Sequence, residues 1–243
     1  MMTSRFFCPQ PLTPNSVADL PPAAAHHALR VLRLKAGDDI TLFNGEGGEY
    51  PGRIIETGRG VRVQLGERRE IERESPLELT LAQALPSGDK MDFIVQKAVE
   101  LGATRIQPLA AARSVTRLSG ERAARRVEHW QQVAISACEQ CGRNRLPAIA
   151  PILELRQWLG NLPRDDETCR LQLSPQGERR LRDCVDERRC LLLIGPEGGF
   201  APEETAAARL AGFTRISLGP RTLRAETAGL AALAALGALC GDI

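Results

Sequence analysis

The segment 191–200 places the strongest constraint on how this chain of 243 residues can fold. Four consecutive apolar residues, Leu191 to Ile194, are followed at once by Gly195-Pro196-Glu197-Gly198-Gly199, and Pro202 to Glu204 come soon after. A short apolar run predicts a buried strand, and a proline followed by acidic residues predicts the start of a helix. A buried strand that leads through glycines into a helix is typical of an open α/β sheet, in which ligands bind beyond the carboxyl ends of the strands.

Residues 195–199, here called the glycine loop, match neither of the common phosphate-binding patterns, G-x-G-x-x-G and G-x-x-x-x-G-K-[ST]. Glycines permit close approach of a ligand to the backbone, whereas Glu197 would repel a phosphate. The loop therefore favours a ligand that carries hydroxyls, amides or positive charge. A tight turn without any ligand is the alternative from this loop alone.

A second loop occupies the same topological position. The segment Arg215 to Leu218 predicts a strand, and Gly219-Pro220 follows it directly. Polar residues then precede a largely apolar helix, namely Arg221, Arg224, Glu226 and Thr227. Because both predicted strands end in a Gly-Pro turn, we expect their loops to lie side by side and to form a site. Solvated loop charges are the alternative, and Glu226 also has a local role against the helix dipole.

The hydrophobic pattern divides the chain near residue 75. Up to residue 74, short β-prone runs and a glycine-dense turn at 44–48 predict a small β-rich domain in which only 26–34 has helical character. The β-prone runs are 40–43, 53–55 and 61–65. The charged segment 67–74 and Ser75-Pro76 predict a domain boundary.

From Leu77 onward, strands alternate with helices, which predicts a mostly parallel, doubly wound α/β sheet. The predicted strands are 77–81, 105–109, 170–173, 191–194 and 215–218. The predicted helices are 91–101, ended by Gly102, then 119–141, 202–210 and 224–239. The run 228–240 is apolar on nearly every face, so we expect it to be buried in the fold or against a second subunit.

The charge balance excludes a strongly basic protein but leaves room for local basic faces. The chain has 32 basic and 30 acidic residues, a formal net charge of +2, and its only lysines are Lys35, Lys90 and Lys97. Residues 113–145 contain seven arginines against three acidic residues. RNA backbone is the natural partner of such a stretch, and a solvated helix face is the alternative.

Neither a membrane segment nor a metal site is expected. The most apolar run, 228–240, is shorter than the ~20 residues that a membrane span requires, and residues 1–10 lack the apolar core of a signal peptide. Seven cysteines without a disulfide framework favour a cytoplasmic protein. Cys138 and Cys141 form a C-x-x-C, but zinc would require a second pair at similar spacing. Such a second pair is not supplied by the other cysteines considered, which are Cys169, Cys184 and Cys190.

Several segments together resemble the RsmE family, the 16S rRNA uridine N3 methyltransferases of the SPOUT class. They cover nearly the whole chain in order and are 5–7, 26–33, 84–92, 96–102, 139–143, 194–200 and 218–227. The resemblance implies a PUA-like β-barrel over residues 1–74 that helps to bind RNA. It also implies an α/β domain with a deep trefoil knot over residues 75–243, and a homodimer. Cys138 departs from the family pattern, in which a small residue such as alanine is expected.

The same resemblance makes the two glycine-containing loops a site for S-adenosylmethionine, which carries a sulfonium cation and no phosphate. The implied cofactor-binding residues are Leu173, Ile194, Gly195, Glu197, Gly198, Gly199, Leu218, Gly219, Leu223 and Arg224.

The implied substrate is N3 of a uridine in 16S rRNA, within the assembled small ribosomal subunit. That nitrogen is occupied in a base pair, so the base must be unpaired or turned out, and its proton must be removed. Arg224 or Arg221 would stabilise charge on O2 and O4, while Glu226 is the first candidate for the base and Glu197 the second. The expected RNA-binding residues are Arg5, Arg30, Arg33, Lys90, Lys97, Arg125, Arg126 and Arg143.

Three alternatives stay open at this point. A non-catalytic RNA-binding module would explain the basic stretch but would leave both glycine-containing loops without a role. A nucleotide-dependent enzyme would explain the α/β sheet but lacks the phosphate-binding pattern. A SPOUT methyltransferase that acts on another RNA is the third.

Overall fold

Two separate sheets organise the chain in a computed structural model that describes residues 3–163, 167–183, 188–240 and 242–243. The first unit comprises Met1–Glu74 together with Cys138–Leu146, and the second comprises Ser75–Ala137 and Pro147–Ile243. The sequence prediction assigned 138–146 to the second domain. In the structure this segment packs with the first unit, because its polar side chains complete a buried ion-pair network there.

The first unit contains a five-stranded sheet with the order β1-β3-β4-β5-β2. Its elements are β1 (Ser4–Phe7), β2 (Val17–Asp19), α1 (Pro22–His26), a π-helical turn (His27–Val31), β3 (Asp39–Phe43), β4 (Tyr50–Thr57) and β5 (Val61–Leu65). The predicted β3–β4 hairpin is confirmed by antiparallel pairing of Leu42 with Tyr50. Strands β1 and β2 were not predicted, since each is short and lacks a sustained alternation of apolar and polar residues.

Buried ion pairs hold the irregular parts of the first unit together. Arg5 donates to Glu49 at 2.5 Å and to the Asn144 side chain at 2.5 Å, and Arg73 reaches the same Glu49 carboxylate at 3.2 Å. Burial alone would raise the pKa of Glu49, but hydrogen bonds from Arg5 and its neighbours outweigh burial and lower the pKa. Arg143, which is 4% exposed, donates to Glu74 at 2.5 Å. These pairs attach 138–146 to the sheet.

The second unit is built on one larger sheet with the order β11-β13-β10-β12-β6-β7-β8, and all described pairings in it are parallel. Its strands are β6 (Glu78–Ala84), β7 (Arg105–Ala110), β8 (Ala148–Ile149), β9 (Leu153–Glu154, beside β7), β10 (Thr168–Leu173), β11 (Arg179–Arg180), β12 (Arg189–Ile194) and β13 (Thr214–Ser217). Its helices are α2 (Lys90–Glu100), α3 (Gly120–Cys141, whose last four residues pack with the first unit), α4 (Leu155–Gly160), α5 (Pro202–Leu210) and α6 (Ala225–Cys240). The long strands and helices were predicted, and the parallel sheet is confirmed.

Helices cover both faces of this sheet, which explains the unbroken apolar run of β12. Leu191 and Leu193 pack in a cluster that contains residues of α4 and α5. Ile194 faces α6, because a Cβ built on Gly229 would lie 3.3 Å from its Cγ1. A strand buried on both faces requires apolar residues at every position. None of the helices among the described residues is long and apolar enough to cross a membrane.

The connection between β10 and β12 wraps around β13. Strand β13 pairs with β10 on one side and with β11 on the other, although β11 lies within the β10–β12 connection. A short helical turn in the same connection, Leu181–Asp183, contacts α6, which follows β13 in the chain. This crossing is the arrangement that the resemblance to the SPOUT class implies for the second unit.

Gly177 makes this crossing sterically possible. A Cβ built at Gly177 would lie only 2.2 Å from the carbonyl carbon of Ile216 in β13. We expect Gly177→Ala to lower the free energy of unfolding by about 1–3 kcal/mol, because backbone would have to move to admit the methyl group. Equilibrium denaturation in urea measures this change.

Gly160, the last residue of α4, provides a matched control because no atom lies within 4 Å of a Cβ built there. Gly160→Ala should leave stability unchanged or raise it by up to about 1 kcal/mol. Equal effects of the two substitutions would show that the crossing does not depend on Gly177.

Candidate functional site

A cavity of about 920 Å³ opens in the second unit, where the strands β10, β12 and β13 end. Its walls come from segments 172–176, 194–200 and 215–225. The sequence predicted that the loops after β12 and β13 lie next to each other. In the structure β10 separates the two strands, and its following loop, 174–176, completes the wall between them.

All ten sequence-predicted cofactor-binding residues line this one cavity. They converge because parallel strands present their carboxyl ends, and therefore their following loops, at the same edge of a sheet. The cavity also has lining residues that the prediction did not include, among them Gln172, Ser174, Arg113 and Arg215. Only the order of the strands in the sheet brings these residues to the cavity, and the sequence does not give that order.

Gly199 and Gly219 leave open space in the cavity wall. Their φ angles are +66° and +118°, values that residues with a side chain rarely adopt. No atom lies within 4 Å of a Cβ built at either position, so a side chain there would project into space that is free for a ligand. A Cβ at Gly198 would make only ordinary van der Waals contact with Arg113, at 3.4 Å from its Cβ, so space does not require a glycine there.

Two side chains from other elements hold the glycine loop in place. Arg113 donates from Nη1 to the carbonyl oxygen of Gly198 at 2.9 Å. Glu204 in α5 is 4% exposed and accepts from the backbone N–H groups of Ala112 at 2.7 Å and Ala201 at 2.8 Å. The loop that follows β7 is therefore joined both to Gly198 and to the start of α5, which fixes the carboxyl-terminal end of the glycine loop.

Glu197 is held by donors from the turn that follows β6 and from the first residue of α2. Its Oε1 accepts from the backbone N–H of Ser87 at 3.0 Å, from the Ser87 hydroxyl at 2.6 Å and from Lys90 Nζ at 3.0 Å. Burial would raise the pKa of Glu197, but these hydrogen bonds outweigh burial and lower its pKa to about 2. A carboxylate with so low a pKa is a poor proton acceptor near neutral pH.

Glu226, in the first turn of α6, is the second carboxylate at the site. It is 15% exposed, its Oε2 lies 3.4 Å from Lys90 Nζ, and its Oε1 lies 3.9 Å from Arg224 Nη1. Unlike Glu197, it has no hydrogen bond to Oε2 from any described residue. Arg224 and Arg221 line the cavity but are exposed, with Arg224 at 81%. The four predicted catalytic residues thus lie at or beside the cavity. Glu197 is held by hydrogen bonds, Glu226 has an oxygen without one, and the two arginines are exposed.

The residues of the cavity fit S-adenosylmethionine. Two carboxylates, Glu197 and Glu226, stand at or beside its wall, where negative charge favours a sulfonium cation. The open space over Gly199 and Gly219 admits close contact between a ligand and the backbone. The thiols do not indicate a metal site. A metal binds the thiolate form of cysteine, whereas burial raises the pKa of Cys138 to about 12.

Within the part of the chain that the structure describes, no three His, Cys, Asp or Glu side chains form a group that could hold a metal ion. Cys184, which was considered for a zinc pair, lies outside the described residues.

The predicted RNA-binding residues fall into four groups, of which the buried pair Arg5 and Arg143 is described last. Arg30 and Arg33 are exposed, and Arg33 has an unusual φ of +56°. Surface ion pairs engage three others, which are Lys97 with Glu100, Arg125 with Glu121 and Arg126 with Asp89. Lys90 lies at the cavity.

Arg5 and Arg143 have a structural role. Their side chains are 9% and 5% exposed and form ion pairs with Glu49 and Glu74 in the first unit. Because breaking a buried ion pair leaves an uncompensated charge, both arginines stabilise the unit, and their contact with RNA stays a prediction.

The chain's relationship to known proteins defines the class to which this fold and cavity belong. Residues 73–237 match the sequence profile of an RNA methyltransferase domain, and residues 20–65 match that of an RNA methyltransferase PUA domain. The first match alone covers more than half of the chain, so the chain belongs to the RNA methyltransferases of this two-domain type.

Individual relatives identify the particular family. Ribosomal RNA small subunit methyltransferase E from Bacillus subtilis is 33% identical over 220 residues, 87% of this chain and 86% of the relative. The enzyme of that name from Neisseria gonorrhoeae, solved bound to S-adenosylmethionine, is 40% identical with a TM-score of 0.91. A methyltransferase from Legionella pneumophila, solved in complex with the same cofactor, is 37% identical with a TM-score of 0.93. Both alignments cover 98% of each chain. The chain belongs to the ribosomal RNA small subunit methyltransferase E family, which confirms the resemblance to the RsmE family.

Gly199 offers a direct test of the cavity. We expect Gly199→Val to abolish S-adenosylmethionine binding measured by calorimetry, because the branched side chain would occupy the open space above the loop. Gly120→Val is the matched control, since Gly120 also has a positive φ, of +53°, and open space around it but does not line the cavity. If a folded Gly199→Val protein binds the cofactor as the unmodified protein does, the assignment of the glycine loop is wrong.

Proposed function

We propose that this chain is an S-adenosylmethionine-dependent methyltransferase that methylates N3 of a uridine in 16S rRNA. The observation that carries the proposal is the cavity at the ends of β10, β12 and β13, which brings the glycine loop and two carboxylates together. Membership in the ribosomal RNA small subunit methyltransferase E family supports an rRNA substrate. The two solved relatives with bound S-adenosylmethionine support the cofactor.

Backbone groups of the three loops hold the cofactor in this proposal. These groups belong to Leu173 at the end of β10, to Gly195 and Gly199 in the glycine loop, and to Leu218 and Leu223 in the segment after β13. When bound, S-adenosylmethionine supplies a methyl group activated by its sulfonium. The chain contributes close-fitting walls, which align the acceptor nitrogen and the methyl carbon and so lower the entropic cost of reaction.

Glu226 is the proton acceptor in this proposal, and Glu197 is not. Neutral N3 of uracil carries a proton and is a poor nucleophile, so a base must remove it. The three donors on Glu197 keep that carboxylate ionised and occupied. Glu226 has an oxygen without a hydrogen bond from the described residues and lies one residue beyond the cavity wall at Ala225.

The exposed arginines of the segment after β13 contact the target nucleotide. Arg221 and Arg224 are not fixed by strong ion pairs, so their planar guanidinium groups are available for uracil oxygens or phosphates. Arg30 and Arg33 in the first unit, with Lys97, Arg125 and Arg126 in the second, contribute phosphate contacts that depend on salt concentration. With a net charge of +2, recognition depends on the shape of the folded rRNA as well as on charge.

A homodimer acting on the assembled small subunit in the cytoplasm completes the proposal. Near the end of α6, Leu239 is 52% exposed and Ile243 is 73% exposed. Burying two such side chains against a second copy is favourable, since each large apolar side chain contributes on the order of 1.5–3 kcal/mol when it leaves water. Light scattering at micromolar concentration tests the dimer.

Mass mapping of 16S rRNA tests the reaction itself. Free 16S rRNA and assembled small subunits are incubated separately with the protein and S-adenosylmethionine carrying a labelled methyl group. We expect one methylated uridine, with the label on N3 and a higher yield from the assembled subunit. Binding without methylation would favour the non-catalytic module, and methylation confined to another RNA would leave the class correct but the substrate wrong.

Glu226→Gln tests the assignment of the base. Single-turnover methylation should fall by about two to three powers of ten near neutral pH, as is typical for the loss of a well-placed catalytic group. The defect should shrink as pH rises, because more of the uracil then loses its N3 proton to solvent. A defect of constant size across the pH series would instead mean that Glu226 positions the start of α6.

Arg33 tests the RNA-binding surface of the first unit through its backbone strain. A non-glycine residue at φ +56° costs about 1 kcal/mol. Arg33→Gly should therefore raise the free energy of unfolding by about that amount while weakening RNA binding. Arg33→Ala keeps the strain and removes the same guanidinium group, so it should weaken RNA binding without the gain in stability. Unchanged RNA affinity in both variants would remove Arg33 from the RNA-binding surface.

A further inference from the structure

Lys90 occupies a position that neither a surface RNA contact nor a simple helix start explains. It is the first residue of α2 and lines the cavity. Its ammonium lies between the two carboxylates of the site, 3.0 Å from Glu197 Oε1 and 3.4 Å from Glu226 Oε2. An ammonium has three N–H donors. Among the described residues only Glu197 accepts a hydrogen bond from it, while Glu226 forms an ion pair with it, so N–H donors remain for a ligand.

Lys90 is also held from two sides. Glu197 of the glycine loop accepts a hydrogen bond from it, and Glu226 of α6 forms an ion pair with it. Arg224, by contrast, is 81% exposed, and its closest approach to Glu226 is 3.9 Å. A charge that is held before the reaction begins stabilises developing charge without the cost of reorganisation, whereas a mobile side chain first loses conformational freedom.

We propose that Lys90 is a catalytic residue that stabilises the ionised target base, which rests on the proposed function. In this step the N3–H bond of uracil breaks and its proton passes to the Glu226 carboxylate. The electron pair of that bond stays on the base, spread over N3, O2 and O4. An N–H of Lys90 that is not donated to Glu197 donates to O2 or O4 and lowers the free energy of the anion.

The charges around Lys90 agree with this role. Glu197 faces it from the glycine loop and Glu226 from α6, while Arg224 lies beyond Glu226 and Arg113 lines the cavity from the loop after β7. The hydrogen bond to Glu197 raises the pKa of Lys90, so the side chain stays protonated over the working pH range. Lys90 is therefore a donor and a cation, and the proton acceptor is a separate residue.

Binding alone can test the role of Lys90. The probe is the shortest 16S rRNA fragment that the unmodified protein methylates, carrying one 5-fluorouridine at the mapped position, and fluorine NMR reports ionisation of its N3. On binding the unmodified protein, the pKa of this base should fall below its value in the free RNA. In Lys90→Met the pKa should return by one unit or more, which is a tenfold change in the ionisation constant.

Two variants separate this role from other effects. Glu226→Gln removes a negative charge, so it should leave the pKa of the base unchanged or lower, the opposite direction from Lys90→Met. Lys35→Met removes a lysine that contacts neither carboxylate and should leave the titration as it is in the unmodified protein.

Turnover provides a second readout. At neutral pH, Lys90→Met should lower single-turnover methylation by about two to three powers of ten, with little change in the Kd for S-adenosylmethionine. The defect should shrink at higher pH and with the 5-fluorouridine substrate, whose N3 ionises more readily. Lys90→Arg, which keeps the charge, should recover part of the rate. A purely structural role would lower the rate equally at every pH and with both substrates.

The outcomes are distinguishable. If the unmodified protein methylates N3 but Lys90→Met leaves the fluorine titration and the pH profile unchanged, the role of Lys90 is wrong and the proposed function stands. If the unmodified protein does not methylate 16S rRNA, both are wrong. If Lys90→Met does not fold, the same two measurements on Lys90→Gln decide whether Lys90 has the proposed role.

Discussion

The close passage of the β10–β12 connection over β13 is the constraint on which the second unit depends. Gly177 approaches the Ile216 carbonyl so closely that a side chain would overlap backbone, and this approach lets β13 pair with β10 on one side and β11 on the other. Because every described pairing is parallel, the ends of β10, β12 and β13 then stand at one edge. The cavity is a consequence of strand order and of a single glycine that admits the crossing.

The electrostatics of the site follow from the same strand order. Strand β6 is the other neighbour of β12, with Gln83 opposite Ile194, so the segment after β6 necessarily lies beside the glycine loop. That segment supplies Ser87 and Lys90, which donate hydrogen bonds to the Glu197 carboxylate. The sequence alone suggested Glu197 as a ligand contact, whereas these bonds hold its side chain in place. Fixing one carboxylate leaves the second, Glu226, as the group with unused hydrogen-bonding capacity. Two similar residues thus acquire different chemistry from their surroundings, as is common at active sites.

Periodicity and turn chemistry were sufficient to predict most of the second unit, including the β12 strand and the four longer helices, because each carries a local signal. The cofactor-lining residues were also predictable, since they sit in loops after recognisable strands and resemble a known family. The knot was not predictable from pattern, because it depends on which side of β13 the connection passes, and no local propensity records that choice. Arg113 and Glu204 were missed for a related reason: their partners, Gly198 and Ala112, are distant in sequence and become neighbours only through the order of strands.

Arginine content alone does not locate an RNA-binding surface, because the arginines of one basic stretch differ in burial. The stretch 113–145 is basic by count, yet Arg143 is enclosed with Glu74, and Arg113 faces the cavity wall. Buried arginines are retained with their partners because removing either one would leave an unpaired charge in a medium of low polarity. Arg33 is the opposite case, since it is exposed and is held in a left-handed conformation that glycine would adopt at lower cost. That conformation ends the π-helical turn and lets the backbone N–H of Leu34 donate to the Ala28 carbonyl at 2.9 Å. The turn does not require an arginine at this position, so the exposed guanidinium group is available for the proposed contact with RNA.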